Sequence, residues 1–488
     1  MGVVPLAFIA ICCISSISLH AATIDRTCKD ILYGGSLGSN DSVKFSFDRR
    51  YPCGQYANGD WWISADAVGP VLIIEISPEA RDGLNGFEIN PSSGSKQAFD
   101  RRVAGYTPSQ QPALPLVIKS DASVVKAVSA SISKQTCLPC LQYAAVLTVL
   151  NRPAVNSEKL FRPGYFGKQK YALSAEAIKL NKLPRLPVAC CSASKELGFD
   201  ELARRYRGVQ LDHLEGWVGR SLHPVGNMPD YGASIARDTA TGLLRMFLDD
   251  FSLGNPSHRS ALVGYLQMSI DLLTMAENGV QWHTDGGHGN GRKLPLIVGG
   301  YLLEDDRFLK AVSKSAFSED EQVFFSAVAN IALYGRQCDD AQYWMQQRAN
   351  KGPKDCRDPY GYIDGGGKEI GEGYQACCTA MPWKYTALAI RLLRLEESWS
   401  NEAFLQYVDR WVGHGAWAVP DPCAGYNDKV DEYGKKYGPK SSGRCIEGGG
   451  RFSSKHGTNK NNGYYGSKFG DQFWHWYVSR APAPSGIP

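Results

Sequence analysis

The chain is 488 residues long, carries a formal net charge of +4, and is 43% hydrophobic. This length is ample for one large globular domain or two ordinary ones. The small charge and the lack of a basic run argue against a nucleic-acid-binding protein, and the lack of a long apolar segment after the N-terminus argues against a membrane-spanning one.

The first 22 residues are predicted to be a signal peptide. Val3 to Ile17 is almost wholly apolar, and the small residues Ala21 and Ala22 follow where a signal peptidase could cut. The basic residues that usually open a signal are missing, so a buried N-terminal helix is the alternative. The prediction is a secreted, extracellular protein.

Cysteine usage agrees with an oxidising compartment. The chain has 14 cysteines, and an even set remains after the predicted signal is removed. We expect the Cys137–Cys140 pair to be a structural disulfide rather than a redox or metal pair, since no second CxxC completes a zinc site. Neighbouring cysteines are expected to bridge to different partners, in Cys190-Cys191 and in Cys377-Cys378.

Residues 23–195 are predicted to form strands and loops. Val71 to Ile76 is a short, continuous apolar run of the kind found in buried strands, and Asn85-Gly86 is a turn signal. We expect this region to pack on the remainder of the chain.

Residues 196–488 show helical spacing of apolar side chains. Successive helices joined by glycine-rich loops suit antiparallel hairpins with loops gathered at one end. The predicted fold class is therefore mainly α, an (α/α) toroid with a strand- and loop-rich N-terminal region. The predicted helices are 235–251, 260–276, 294–303, 318–333, 379–395, 401–412 and 472–478.

The densest group of chemically active side chains is the loop from Trp282 to Lys293. Its glycines exclude a stable helix and let side chains and backbone approach a ligand closely. His283, His288 and Arg292 are the candidate catalytic residues there, although a polar surface loop remains an alternative. His283, Asp285 and His288 could instead bind zinc, but their spacing matches no strong zinc motif.

Two further loops precede predicted helices. The segment from His223 to Gly232 offers the amide of Asn227 and the phenol of Tyr231, or it is a capping loop with Asp230 as the N-cap. Tyr374 is either catalytic or a packing residue beside cysteines.

Aromatic residues in loops suggest a sugar-binding cleft, because pyranose rings stack on exposed aromatic faces. Trp61 and Trp282 are the candidate stacking residues, and Arg162 and Lys293 are candidate basic residues for binding the same substrate. Large aromatic side chains are usually mostly buried, so many of them must belong to the core.

Four segments resemble landmarks of a group of secreted, mostly uncharacterised bacterial proteins. They are Asn58 to Trp62, Phe161 to Tyr165, Asp285 to Pro295 and Phe317 to Gln322, and they span most of the chain. That group is more distantly similar to the helical-toroid polysaccharide lyases that cleave alginate and glucuronan.

This resemblance implies β-elimination on an acidic, uronate-containing polysaccharide by an Asn, a His, an Arg and a Tyr. It assigns these roles to Asn227, to His283 or His288, to Arg292, and to Tyr231 or Tyr374. We expect a monomer that needs no cofactor or metal and binds neither nucleic acid nor a membrane. The alternatives are a glycoside hydrolase and a non-enzymatic glycan-binding protein.

Overall fold

Alternating apolar residues in the N-terminal third form a curled, mixed β-sheet. The computed structural model of the protein describes residues 26–35, 41–132, 137–326, 331–335, 375–414 and 465–480. Its strands are β1 Thr27–Gly34, β2 Ser42–Gln55, β3 Trp61–Ser64, β4 Val71–Ser77, β5 Phe87–Ile89, β6 Leu116–Ile118, β7 Ala122–Ser129 and β8 Leu141–Leu150. The strand order in the sheet is β5-β7-β8-β3-β2-β4-β6, with β1 paired to β2. Strands β3 and β8 run parallel, and the other pairs are antiparallel.

The sheet is buried on both faces along β7 and β8. Successive side chains of a strand point to opposite faces. Val124 and Leu147 accordingly join the core enclosed by the sheet. Val125 and Val146 join the larger core that the sheet shares with the helices. The sheet therefore forms one layer of an α+β arrangement.

The helices follow the sheet in the chain. The described helices are α1 Phe199–Arg207, α2 Gly219–Leu222, α3 Gly232–Arg245, α4 Pro256–Glu277, α5 Lys293–Leu303, α6 Asp306–Val312, α7 Ser318–Glu321, α8 Ala380–Leu393, α9 Glu396–Trp399, α10 Glu402–His414 and α11 Lys468–Val478. The longest of these, α4, packs against both α1 and α5, and α3 packs against α8.

The prediction of a mainly α toroid is wrong. Among the described residues, helices make up 39% and strands 22%, and the N-terminal strands form a half-barrel with a core of its own. The predicted helix 318–333 is also wrong, because α7 ends at Glu321 and the strands β9 Val323–Ser326 and β10 Ile331–Tyr334 pair antiparallel after it.

A buried ion cluster joins the sheet to the helices. Arg162 donates from Nε to Asp60, just before β3, at 2.6 Å and from Nη2 to Asp271 on α4, also at 2.6 Å. Removing water from these charges is costly, and the two carboxylates offset that cost only while the guanidinium bonds to both.

Between residues that the structure describes, three cysteine pairs have sulfur atoms at disulfide distance, namely Cys28–Cys53, Cys137–Cys140 and Cys190–Cys191. The last pair differs from our expectation that these neighbours would bridge to different partners. The predicted signal peptide lies outside the described residues. Within them, every helix is too short or too polar to cross a lipid bilayer.

Candidate functional site

Two of the predicted loops meet at the molecular surface. We call residues 223–231 the Tyr231 loop and residues 282–292 the His288 loop. The backbone N–H of Gly287 donates to the Tyr231 hydroxyl at 3.2 Å. A side chain at position 287 would clash, because its Cβ would lie 2.6 Å from that hydroxyl and 2.1 Å from the carbonyl oxygen of Cys378. The glycine is therefore required for the close approach of the two loops.

Tyr231 and His288 are in direct contact. Their ring centroids are 4.8 Å apart and the rings are nearly perpendicular. Tyr465, from the segment before α11, stacks on Tyr231 with ring centroids 5.4 Å apart. Both Tyr231 and His288 are partly exposed, so solvent or a ligand can reach them.

Trp217 and Arg220 complete this group, which we call the surface cluster: Trp217, Arg220, Tyr231 and His288. The indole of Trp217 is 50% exposed and lies edge-on to His288, with centroids 4.7 Å apart. The Arg220 guanidinium lies 4.7 Å from the Trp217 ring and 5.1 Å from the Tyr231 ring. The negative face of each aromatic ring attracts this cation.

Two carboxylates border the surface cluster. Asp230 accepts from Nη2 of Arg220 at 2.6 Å, and Asp285 accepts from the backbone N–H of Trp217 at 2.6 Å. The second bond depends on Gly216, whose positive φ of 69° turns the chain so that this N–H faces Asp285. Nε of Arg220 is buried and has no hydrogen-bond partner in the described part of the chain.

His288 is a neutral imidazole at physiological pH. Burial is the largest cause that lowers its pKa, and the positive charges of Arg220 and Arg292 outweigh the opposite effect of Asp285, so the pKa falls to about 4. Among the described residues nothing hydrogen-bonds to its Nδ1, which is buried. The ring is therefore uncharged and has one nitrogen uncommitted.

The role predicted for Arg292, binding a substrate carboxylate, does not fit its position. Its side chain is 3% exposed. Nε and Nη2 each donate to Asp212 at 2.7 Å, and Nη1 donates to the carbonyl oxygens of His288 and Asn290. These bonds occupy the guanidinium inside the protein, so Arg292 holds the His288 loop instead of facing a groove.

Asn227 is likewise a structural residue. It is buried, and its Nδ2 donates to the carbonyl oxygens of Ala144 at 3.1 Å and Val209 at 2.7 Å. With both amide hydrogens bonded to backbone, Asn227 joins the Tyr231 loop to β8 and does not reach the surface cluster.

His283 contacts α7 and is not part of the surface cluster. Its side chain is exposed, and Nδ1 lies 2.7 Å from Glu321 on α7. No group of three or more metal-ligating side chains occurs in the described ranges, which include His283, Asp285 and His288. Tyr374 lies outside the described residues.

The four predicted substrate-binding residues lie elsewhere, in structural positions. Trp61 is in β3, where the Arg26 guanidinium lies 4.3 Å from its ring. Arg162 is buried in the ion cluster described above, and Trp282 is buried against Phe317. Lys293 is also buried and donates to Asp320. Burial keeps Arg162, Trp282 and Lys293 from contacting a substrate in solution, whereas Trp61 is partly exposed.

Sequence reasoning missed Trp217, Arg220 and Asp212. A weak signal existed for the first two, since Trp217 lies between Gly216 and Gly219 in a segment that precedes the Tyr231 loop. No local pattern distinguishes Asp212, because its partners lie 11 and 80 positions further along the chain.

Comparisons with known proteins give no further information on the site. No family model, curated protein or solved structure matches the chain. The assignment of function therefore rests on the geometry of the surface cluster.

Proposed function

We propose that the protein is a secreted polysaccharide lyase that cleaves an acidic, uronate-containing glycan by β-elimination. The observation that carries this proposal is the surface cluster, in which a neutral His288 contacts Tyr231 while Arg220 and the exposed Trp217 flank both rings. Positive charge, proton-transfer groups and a stacking surface within one cluster are what this reaction requires.

The chemistry assigns each side chain a role. The proton on C5 of a uronic acid is weakly acidic while the adjacent carboxylate is charged, and pairing with Arg220 offsets that charge as the enolate-like state develops. The Arg220 guanidinium is partly exposed, and a substrate carboxylate would replace Asp230 as its partner. Trp217 stacks on the sugar ring.

Two proton transfers follow. His288 or Tyr231 takes the C5 proton, the C4–O bond to the departing sugar breaks, and a C4=C5 double bond forms. Tyr231 donates a proton to the departing oxygen. Each positioned transfer of this kind contributes roughly 10²–10⁴-fold to the rate.

The substrate itself assists the base. The charge of Arg220 is one of the causes that lower the pKa of His288. A bound carboxylate offsets this charge, so the imidazole becomes more basic when a uronate occupies the site.

The test is to incubate the purified protein with alginates, glucuronan and other uronans while following the ultraviolet absorbance of the new double bond. Replacing His288 by Ala, Tyr231 by Phe or Arg220 by Gln should lower the rate at least about 100-fold. His475→Ala and Arg480→Gln on and beside α11 are the matched controls, because His475 is exposed and Arg480 lies over the Trp476 ring. If the ultraviolet absorbance does not rise with any uronan of the panel, the proposal is wrong.

A glycoside hydrolase is the second candidate, since Asp230 and Asp285 both border the surface cluster. Glycoside hydrolysis uses a pair of carboxyl groups on either side of the scissile bond. A hydrolase would release reducing ends without the ultraviolet signal, and either Asp→Asn substitution would abolish turnover.

A further inference from the structure

The Tyr231 loop and the His288 loop are both anchored to one buried carboxylate. Asp212 lies in the segment between α1 and α2, and its Oδ1 accepts from Nε2 of His223 at 2.9 Å and from Nη2 of Arg292 at 2.7 Å. Its Oδ2 accepts from Nε of Arg292 at 2.7 Å. Three charge-assisted or imidazole hydrogen bonds converge here from two separate parts of the chain.

One path leads from Asp212 to His288. The bidentate pair with Asp212 fixes the plane of the Arg292 guanidinium. Nη1 then donates to the backbone carbonyl of His288 at 2.7 Å and to that of Asn290 at 2.6 Å. The peptide that carries the imidazole is therefore held by the guanidinium, which is held by Asp212.

The second path leads from Asp212 to Tyr231. The other nitrogen of His223, Nδ1, lies 3.1 Å from the carbonyl oxygen of Pro229, two residues before Tyr231. His223 thus joins the end of the Tyr231 loop to the same carboxylate.

Asp212 is itself firmly placed. It is buried, and its backbone N–H donates to the Tyr165 hydroxyl at 3.1 Å, which also lies 3.0 Å from Nδ1 of His213. Burial opposes ionisation of Asp212, but Arg292 and His223 together hold its pKa below the usual range. The carboxylate is consequently charged at neutral pH.

We infer that Asp212 is a positioning residue that holds Tyr231 and His288 in the mutual arrangement required for proton transfer. The inference rests on the proposed function for its catalytic meaning, whereas the coupling of the two loops through Asp212 is a physical claim that stands without it. Displacing a reacting group by about 1 Å costs about 100-fold in rate, so the loss should appear in kcat.

The experiment compares Asp212→Asn with Asp409→Asn in the full-length protein. Asp409, on α10, is a suitable control because it also forms a bidentate pair with an arginine. Its two oxygens accept from Arg391 at 2.8 and 2.7 Å. Both substitutions should lower the melting temperature. The distinguishing measurement is an NMR pH titration of the His288 ring in the folded protein.

With Asp212→Asn we expect new ring chemical shifts and a changed pKa for His288, with an approximately 100-fold lower kcat per folded molecule. With Asp409→Asn the ring signals should match those of the wild type. Unchanged His288 signals in a folded Asp212→Asn protein would overturn the inference. A wild-type protein without lyase activity would overturn the proposed function, and the NMR comparison would still decide the coupling.

A second variant covers the case in which Asp212→Asn does not fold. Arg292→Lys keeps the positive charge but cannot form the bidentate pair with Asp212 and also hold the two carbonyl groups. It should shift the His288 ring signals in the same way, and unchanged signals would again count against the inference.

Discussion

In the proposed complex with a uronate, two carboxylates compete for the Arg220 guanidinium: that of Asp230 and that of the substrate. In the free protein Nη2 bonds to Asp230 at 2.6 Å, and both side chains of this pair are partly exposed. Partly exposed ion pairs contribute about 0–1 kcal/mol. Asp230 is therefore a weak competitor for the guanidinium, and a substrate carboxylate can displace it at small cost.

Replacing Asp230 by Asn should consequently lower KM for a uronan, by up to about fivefold, because the competing charge is removed. Steady-state kinetics on the best substrate of the panel would measure this. Asp306→Asn, an exposed position on α6, is the control. A higher KM would contradict the prediction, and a complete loss of turnover would favour the hydrolase.

Arg220→Gln tests the electrostatic coupling between Arg220 and His288 without any substrate. The positive charge of Arg220 disfavours protonation of the imidazole, so its removal should raise the pKa of His288 from about 4 toward the ordinary value. A histidine NMR titration reports this shift directly. Arg480→Gln should leave the titration unchanged, and a pKa for His288 that stays at about 4 in Arg220→Gln would contradict the prediction.

At the scale of elements, the Arg162 cluster decides whether the sheet stays attached to the helices. Arg162→Met leaves Asp60 and Asp271 buried or nearly so without their cation, which should cost about 3–5 kcal/mol in the free energy of unfolding. Urea denaturation measures this cost.

Arg49→Met is the matched control for Arg162→Met. Arg49 forms a bidentate pair with Asp66 on the sheet, but both side chains are partly exposed, so its loss should cost at most about 1 kcal/mol. Similar costs for the two variants would contradict the view that the Arg162 cluster holds the layers together.

The elements with the clearest sequence patterns were predicted well. The apolar run from Val71 to Ile76 is β4, and the predicted helix 260–276 lies within α4. The helix predicted over 318–333 was not found, because a short apolar run such as Val323 to Phe325 fits a strand as well as a helix. Pairing with β10, which is a tertiary interaction, decides between the two.

The site was predicted in part. Tyr231 and His288 were candidates, and the structure brings them into contact. Arg292 and Asn227 carry the expected chemical groups, but these groups donate hydrogen bonds inside the protein. The Arg292 guanidinium bonds to Asp212, and the Asn227 amide bonds to backbone carbonyl oxygens. Which polar side chains of a loop turn inward depends on distant partners, and a single sequence does not reveal these.

At the scale of the whole molecule, the burial of ionisable groups was the least predictable feature. Lys126 lies within β7 and is fully buried, although a strand lysine ordinarily lies on a solvent face. Glu88 on β5 and Glu319 on α7 are buried as well. Lys126 shares its face of β7 with Val124 and Val128, which belong to the core enclosed by the sheet, and a local alternation pattern cannot report that this face is enclosed.

These three groups should give the protein a minimum of stability near neutral pH. Burial raises the pKa of Glu88 and that of Glu319 to about 7, so the stability these carboxyls contribute in their protonated form is lost as pH rises from 4.5 to 7. Burial lowers the pKa of Lys126 to about 7, so stability increases as pH rises from 7 to 10.5. Melting temperatures measured from pH 4.5 to 10 should therefore pass through a minimum near pH 7.

Glu88→Gln should reduce the loss of stability between pH 4.5 and 7. The glutamine keeps an acceptor for the backbone N–H of Ala98 but removes the buried charge, so above pH 7 the variant should exceed the wild type by up to about 3 kcal/mol in the free energy of unfolding. At pH 4.5 the two proteins should be nearly equal, because Glu88 is then protonated in the wild type. Glu75→Gln, at an exposed position on β4, should change stability little at either pH. If Glu88→Gln changed the free energy of unfolding equally at pH 4.5 and above pH 7, the Glu88 carboxyl would not titrate between these values. Burial of its charge would then not be a cause of the stability minimum.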